Sequence, residues 1–328
     1  MVTARKNMRI TLGLTLSLTT AVMATLDAPL AQMQGIAPCP GGLPGQLAAP
    51  KPGQPGKKRK VDSCRSRGLG GSNSQVQNQA KNNFCAKTSP VPITIDTFIR
   101  LQQAVNAIPL NKLPRGAPQT LPTAQQRKQI QRLTITGNDG KSLTLGEGTV
   151  VVFAAFVNGA RHSNVCSGED VNCKDLGCEN NDIHIELSDS ALRANEAGDP
   201  KLKDQKLCSR GVVVEISPHF RPAEWENFDS DDYRNDFATH PIRFKGQLFF
   251  DASHPPCDPQ KPVEPIRVSI WEIHPVYAID VCKKNSLADC QVDNESVWEP
   301  FAQTLGKKSV KPGTSCQPCH QATKAVSH

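Results

Sequence analysis

The sequence contains the stretch Asn181-Asp182-Ile183-His184-Ile185-Glu186-Leu187. Its aspartate, histidine and glutamate alternate with two isoleucines and a leucine. Successive side chains of a β-strand point to opposite faces, so this alternation predicts a strand with one polar and one apolar face. The polar face carries groups that ionise and can bind metal ions, so this stretch predicts both an element of the fold and part of a candidate site.

Strand patterns occur on both sides of this stretch, at residues 133–136, 142–145, 149–157, 211–217, 242–250 and 268–281. The first two flank Asn138-Asp139-Gly140, a turn signature of β-hairpins, because these residues tolerate positive φ angles. Short strands with irregular loops and little helix between them predict a mainly β fold. Their order fits a small antiparallel Greek-key (OB-like) barrel with short N-terminal helices and flexible termini.

Composition divides the chain into five segments: 1–31 a signal peptide, 32–90 a disordered Pro/Gly-rich linker, 91–132 a short helical lead-in, 133–282 the OB-like β-barrel and 283–328 a polar Cys-containing tail. The first segment has a basic start and an apolar stretch from Ile10 to about Met23, as export signals do. Cleavage after Ala24 and cleavage after Ala31 both fit. In the lead-in, Asp96 and Thr123 are expected to be the N-caps of two short helices.

Twelve cysteines agree with export, because disulfides form in oxidising compartments. We expect a periplasmic or extracellular protein with no transmembrane anchor after signal cleavage. Connectivity does not follow from sequence, but the neighbours Cys64 with Cys85 and Cys282 with Cys290 are reasonable pairs. The net charge of +7 falls to +5 without the signal, and aromatic residues make up 5% of the chain. This composition does not support a nucleic-acid partner.

The strand segments also carry a resemblance. It rests on Gly148-Thr149-Val150-Val151-Val152, Asn172-Cys173, Asn181-Asp182-Ile183-His184-Ile185, Val214-Glu215, Gly246-Gln247-Leu248-Phe249-Phe250-Asp251 and Ile270-Trp271-Glu272-Ile273-His274-Pro275-Val276. Over residues of about 145–282 the chain resembles a family of uncharacterised exported bacterial proteins with an OB-like barrel and a closing Trp-Glu-Ile-His-Pro-Val strand. The resemblance implies the fold and no activity.

Strand parity predicts which acids and imidazoles can meet. Asp182 shares a face with His184, and Glu272 shares a face with His274. If their strands adjoin the strand of Glu215, these five residues form one polar site for general acid–base chemistry. His184, Glu215 and His274 are the candidate ligands of a divalent metal.

The alternative is a solvated polar face without function, since cross-strand His–Glu pairs stabilise sheets by only about 0.2–1 kcal/mol. His219, beside Pro218 at a strand end, is expected to be structural.

The tail contains Cys316-Gln317-Pro318-Cys319-His320, the attachment pattern of haem c, in which Cys316 and Cys319 would bond the porphyrin and His320 the iron. Disulfides of Cys316 and Cys319, with each other or with distant cysteines, are the favoured interpretation. The loop cysteines Cys166, Cys173 and Cys178 lack the spacing of a zinc knuckle, so disulfides are favoured there too.

The sequence therefore predicts an exported, disulfide-stabilised OB-like β-barrel that acts as a binding or cell-envelope accessory module. Its partner, a ligand or an envelope protein, is unknown. A metal-dependent hydrolase (a nuclease or phosphodiesterase) using the His/Glu site is one alternative. A c-type haem electron-transfer protein is another. The sequence leaves open whether the protein is an enzyme.

Overall fold

Five strands of the protein close into a β-barrel. The computed structural model describes residues 67–86, 89–117, 120–192, 196, 198–258, 265–313, 316 and 319. The described residues include nine strands in all: β1 (Val91–Ile93), β2 (Leu133–Thr136), β3 (Ser142–Leu145), β4 (Val150–His162), β5 (Ile183–Ser188), β6 (Val212–Ile216), β7 (Ile242–Phe250), β8 (Trp271–Cys282) and β9 (Trp298–Pro300). The α-helices include α1 (Ser72–Lys81), α2 (Ile95–Asn106), α3 (Ala124–Arg127), α4 (Pro200–Arg210) and α5 (Arg234–Thr239).

The barrel follows the order β4-β5-β6-β8-β7 and closes where β7 pairs with β4. Four of these five pairings are antiparallel, and β6 with β8 is parallel. The mainly β class and the small closed barrel predicted from the sequence are confirmed. The parallel pair was not predicted, because strand patterns carry no information on which non-consecutive strands meet.

Alternation along the strands builds the core. Ile183, Ile185 and Leu187 of β5 are fully buried in it, together with Val212 and Val214 of β6. Helix α2 adds Phe98, Leu101 and Val105 on one face. The residues that alternate with these lie on the opposite face of the barrel wall, which positions the candidate site.

The predicted hairpin is present, since Leu133 pairs with Leu145 and Thr136 with Ser142. Thr123 caps α3 as expected, because its Oγ1 accepts a hydrogen bond from the backbone N–H of Gln126 at 3.2 Å. The expected cap Asp96 is wrong by two positions. Helix α2 begins after Thr94, whose backbone N–H donates to Oγ1 of Thr97 at 3.2 Å.

Helix α1 differs from the sequence expectation of a disordered linker over 32–90. Its sequence is polar, and it docks by hydrogen bonds rather than by an apolar stripe. Gln77 donates to Oδ1 of Asp251 at 3.3 Å, and the backbone carbonyl of Ala80 accepts from Gln247 at 2.9 Å. A helix that docks by polar contacts has no periodic apolar residues, so the sequence pattern does not predict it.

Four disulfides join described cysteines: Cys166–Cys319, Cys178–Cys316, Cys208–Cys257 and Cys282–Cys290. The predicted pair of Cys282 with Cys290 is confirmed, and it packs beside Trp298 of β9. Cys64, one half of the predicted pair with Cys85, lies outside the described residues, and so does the predicted signal peptide. Disulfides in this number fit an oxidising compartment. Within the described part of the chain, no helix is long and apolar enough to cross a membrane.

Candidate functional site

The candidate site lies on the face of β5, β6 and β8 that points away from the apolar core. In the β5–β6 ladder His184 is directly opposite Glu215, and in the β6–β8 ladder Val214 is beside Ile273. Glu215 follows Val214 and His274 follows Ile273, so Glu215 and His274 are neighbours across this parallel ladder. On an exposed sheet face such polar residues would be solvated and would need no function. Here Glu215 is 2% exposed and His274 is 0% exposed, so the polar face is buried.

Two segments bury this polar face. The C-terminal end of α1 brings Lys81, and the loop between β4 and β5 brings Glu169 and Asn172. Side chains of Lys81, Glu169 and His184 keep 12%, 10% and 13% of their area exposed. The site is therefore closed apart from a small opening at these three residues.

His274 has an unusual set of neighbours. Its Nδ1 lies 2.9 Å from the backbone carbonyl oxygen of Lys81, so Nδ1 must carry the proton of that hydrogen bond. Its Nε2 lies 3.2 Å from Oδ2 of Asp182 and 3.3 Å from Oε2 of Glu215. A neutral ring would turn a lone pair toward two carboxylates. Nε2 of His274 and the two carboxylates therefore surround a position that a metal cation could occupy.

Glu215 connects the two histidines. Its Oε1 lies 3.2 Å from Nε2 of His184, while its Oε2 lies 2.9 Å from the ammonium of Lys81. Burial on its own would raise the pKa of Glu215, but the positive charges of His184 and Lys81 outweigh burial and lower it to about 2. Glu215 is therefore a carboxylate at neutral pH.

Asp182 and Glu169 share the amide of Asn172. Nδ2 of Asn172 donates to Oδ1 of Asp182 at 3.1 Å and to Oε2 of Glu169 at 3.0 Å. Burial opposes the charge of Asp182, but the hydrogen bond and charge of His274 hold its pKa below the ordinary value. Burial and the charge of Asp182 raise the pKa of Glu169 to about 8. The two acids are thus set to different protonation states at neutral pH.

Among the described residues of this region, two imidazole nitrogens make no hydrogen bond. Nε2 of His184 is close to Glu215 but outside hydrogen-bonding geometry, and Nε2 of His219 is buried without a partner. Burial lowers the pKa of His219 to about 4, although the charge of Asp182 and a hydrogen bond to the backbone of Val171 act in the opposite direction. His219 is a neutral ring at pH 7. The sequence expectation of a structural role for it is not tested.

Glu272 shares the polar face, but in the described part of the chain it forms no hydrogen bond or ion pair with the other four predicted residues. Its Oε2 accepts from Nη1 of Arg267 at 2.7 Å, and Nη2 of Arg267 donates to Asp251 at 3.0 Å. His254 lies 2.6 Å from the same carboxylate of Asp251. This is a neighbouring buried ion network rather than part of the His274 cluster.

Two groups of residues in the cluster could hold a metal ion. Ligand atoms of Asp182, Glu215 and His274 lie within 4.8 Å of one another, and so do those of Glu169, Asp182 and His184. A tetrahedral ion with bonds of about 2.1 Å separates its ligand atoms by about 3.4 Å. The distances of 3.2 and 3.3 Å from Nε2 of His274 to Asp182 and Glu215 are close to that spacing.

The structure brings together four of the five predicted residues: Asp182, His184, Glu215 and His274. Lys81, Glu169 and Asn172 were missed. Lys81 lies in a helix without an apolar period, and the other two lie in a loop whose path is fixed by disulfides. No helix or strand pattern marks Lys81 or Glu169, and Asn172 appears only among the segments that carry the family resemblance.

The predicted haem cysteines are both disulfide-bonded, Cys316 to Cys178 and Cys319 to Cys166. In this covalent state neither sulfur is available to bond a porphyrin vinyl group. The predicted iron ligand His320 lies outside the described residues. Cys166, Cys173 and Cys178 are likewise disulfide-bonded, which removes the thiolates of a loop zinc site.

No protein-family model, curated protein or solved structure matches this chain. The resemblance to exported barrel proteins thus stays a prediction, and the function has to be argued from the site itself.

Proposed function

We propose that this protein is an exported metal-binding β-barrel module, which holds a divalent transition metal ion through Asp182, Glu215 and His274. The observation that carries the proposal is the environment of His274. Its Nδ1 donates a hydrogen bond to the backbone carbonyl of Lys81, and its Nε2 faces the carboxylates of Asp182 and Glu215. Metal-ligating histidines have this arrangement, in which a backbone carbonyl fixes the ring and the other nitrogen binds the ion.

The charge balance of the region supports a bound cation. Three buried acids of the region, Asp182, Glu215 and Asp251, keep pKa values below their ordinary range and are carboxylates at neutral pH. The permanent positive charges of Lys81 and Arg267 contact Glu215 and Asp251, whereas Asp182 contacts His274 and the amide of Asn172. Uncompensated buried charge is costly, and a cation between Asp182 and Glu215 would offset it.

The donor set supports a particular class of ion. An imidazole nitrogen with carboxylate oxygens suits Zn²⁺ and its first-row neighbours, whereas Ca²⁺ and Mg²⁺ take oxygen ligands alone. Three protein ligands also leave one position of a tetrahedral ion for water or for a group of a partner.

The test is metal content after equilibration of the full chain with an equimolar mixture of Zn²⁺, Mn²⁺, Ca²⁺ and Mg²⁺. Mass spectrometry of the washed protein should find Zn²⁺ retained and Ca²⁺ and Mg²⁺ absent. His274→Gln should lose the bound ion, whereas His240→Gln, a matched change at a histidine that contacts Thr239, should keep it. Retention of Zn²⁺ by His274→Gln, or none by the wild type, would contradict the proposal.

A second candidate function, two-metal hydrolysis, is favoured by one observation. Asp182 belongs to both ligand groups, so it could bridge one ion at Glu215 and His274 to another at Glu169 and His184. Two-metal sites about 3.5–4 Å apart catalyse phosphoester hydrolysis by activating a water. Glu169 and His184, which keep 10% and 13% of their side-chain area exposed, would hold the second ion at the opening, where water and substrate can enter.

The hydrolase and the binding module differ in stoichiometry and activity. Hydrolysis requires about two Zn²⁺ per chain and cleavage of bis(p-nitrophenyl) phosphate that is lost in Glu169→Gln. One ion per chain with no cleavage would exclude the hydrolase and support the binding module.

A further inference from the structure

The last described residues of the chain are attached to the loop between β4 and β5 by two disulfides. Cys166 is bonded to Cys319 and Cys178 to Cys316, with Cα separations of 5.4 and 5.5 Å. Cys316 and Cys319 are three positions apart in the sequence, the spacing at which two cysteines can also bond each other. Four cysteines with two alternative pairings therefore occupy one small region.

The two disulfides differ in access to solvent. Cys166 is exposed and Cys319 is partly exposed, so a thiol in solution can reach the outer bond. Cys178 is 8% exposed, so the inner bond is largely shielded from direct attack. An order of events follows, in which the outer bond opens first.

The inner disulfide lies beside a base that is oriented by an acid. One ring nitrogen of His162 lies within 4.8 Å of the sulfurs of both Cys178 and Cys316. Nδ1 of His162 lies 2.9 Å from Oδ2 of Asp229, and both residues are buried. An imidazole fixed by a carboxylate is the usual arrangement for moving a proton to or from sulfur.

A buried guanidinium fixes the backbone of Cys178. Nη2 of Arg221 donates to the backbone carbonyl of Cys178 at 2.7 Å, and the side chain of Arg221 is 1% exposed. Its charge is paired with Glu226 at 2.9 Å, so it holds the position of Cys178 rather than adding net charge at the sulfur. The residue beside the inner bond that can move a proton to a released sulfur is therefore His162.

We propose that Cys166, Cys178, Cys316 and Cys319 form a thiol–disulfide exchange site that accepts two electrons from an external dithiol. The exchange site uses none of the residues that the metal proposal names as ligands.

The exchange takes place in three displacements. A thiolate of the dithiol attacks Sγ of Cys166, which forms a mixed disulfide and releases Cys319 as a thiolate. The Cys319 thiolate attacks Sγ of Cys316, which forms the Cys316–Cys319 bond and releases Cys178 as a thiolate; this thiolate takes up a proton that His162 relays from solvent. The second sulfur of the dithiol, after losing its proton to solvent, attacks its partner sulfur in the mixed disulfide and releases Cys166 as a thiolate, which takes up a proton from solvent.

The balance is one dithiol oxidised to its disulfide, and two protein disulfides converted to one disulfide and two thiols. Two electrons and two protons pass from the dithiol to Cys166 and Cys178. The product no longer has a covalent bond between the C-terminal residues and the loop that carries Glu169.

The experiment uses the oxidised full chain with increasing dithiothreitol, trapping of thiols by N-ethylmaleimide, and peptide mapping by mass spectrometry. The first trapped thiols should be Cys166 and Cys178, together with a peptide that contains an internal Cys316–Cys319 disulfide. Cys208–Cys257 and Cys282–Cys290 should remain closed at that stage. Equal labelling of Cys316 and Cys319 with Cys166 and Cys178, and no Cys316–Cys319 peptide, would overturn the proposal.

Variants test the role of His162. His162→Gln should slow release of Cys178 by about tenfold or more and leave release of Cys166 unchanged, because only the second displacement uses the ring. His240→Gln is the matched control and should change neither rate. If both releases slow equally in His162→Gln, or neither slows, His162 has no part in the exchange.

Discussion

Nδ1 of His274 in strand β8 lies 2.9 Å from the backbone carbonyl oxygen of Lys81 at the end of helix α1. This one contact joins the docked helix to the barrel wall and fixes the orientation of the ring. It also decides the chemistry of the other nitrogen, because a carbonyl accepts a hydrogen bond and cannot donate one. Nε2 is left facing Asp182 and Glu215, which is where the proposed ion binds.

Lys81 competes with the proposed ion. Its ammonium lies 2.9 Å from Oε2 of Glu215, an oxygen that the metal needs. Lys81→Met should therefore tighten Zn²⁺ binding by about tenfold, equivalent to about 1.4 kcal/mol, in calorimetric titrations. Lys141→Met, at a side chain 84% exposed, is the control and should leave the affinity unchanged. Weaker binding by Lys81→Met would show that the ammonium supports the site instead.

The buried network of Asp251, Arg267 and Glu272 should contribute to stability in a pH-dependent way. Burial opposes ionisation of Asp251, but the charge and hydrogen bond of His254 and the charge of Arg267 hold its pKa well below the ordinary value. Because the pKa in the folded state lies below that in the unfolded state, near 3.9, the contribution is complete above about pH 5. It is lost as the pH falls through the pKa of the folded state.

Asp251→Asn should accordingly lower the free energy of unfolding by about 3–5 kcal/mol at pH 7, since it leaves Arg267 with one buried partner fewer. The difference from wild type should narrow below about pH 4, as wild type loses the same contribution. Urea unfolding at pH 7 and at pH 3 measures both, with Asp139→Asn at an exposed position as the control. A difference independent of pH would contradict the assigned ionisation.

Helix α2 should be needed to complete the core. Phe98 is 0% exposed and packs edge-to-face on Phe153 of β4 with ring centroids 5.4 Å apart. Phe98→Ala should cost about 3–5 kcal/mol of unfolding free energy through lost burial and the cavity left behind. Leu110→Ala, at a position 61% exposed, should change it by less than about 0.5 kcal/mol. A similar cost for both variants would mean that α2 does not belong to the folding unit.

The strands could be predicted because their information is local. Alternation in β5 gave its two faces, and the same parity placed Glu215 and His274 where they meet His184 and Asp182. Pairing of β6 with β8 could not be predicted, since these strands are separated by more than fifty residues and pair in parallel.

The cover of the site could not be predicted, because its contacts are polar and distant in sequence. Gln247 holds Ala80, and Asp251 holds Gln77, across more than 160 residues. Glu169 depends on a loop that disulfides fix, and disulfide connectivity does not follow from spacing. The polar strand face can therefore be predicted from the sequence, but the helix and the loop that bury it cannot.

The most direct test of the central claim is the anomalous diffraction of crystals equilibrated with Zn²⁺, measured on both sides of the zinc absorption edge. The proposed site predicts an anomalous peak about 2.0–2.2 Å from Nε2 of His274 and from carboxylate oxygens of Asp182 and Glu215. That peak should be absent in crystals of His274→Gln. An empty cluster at saturating Zn²⁺, or a peak bound only at other residues, would contradict the account.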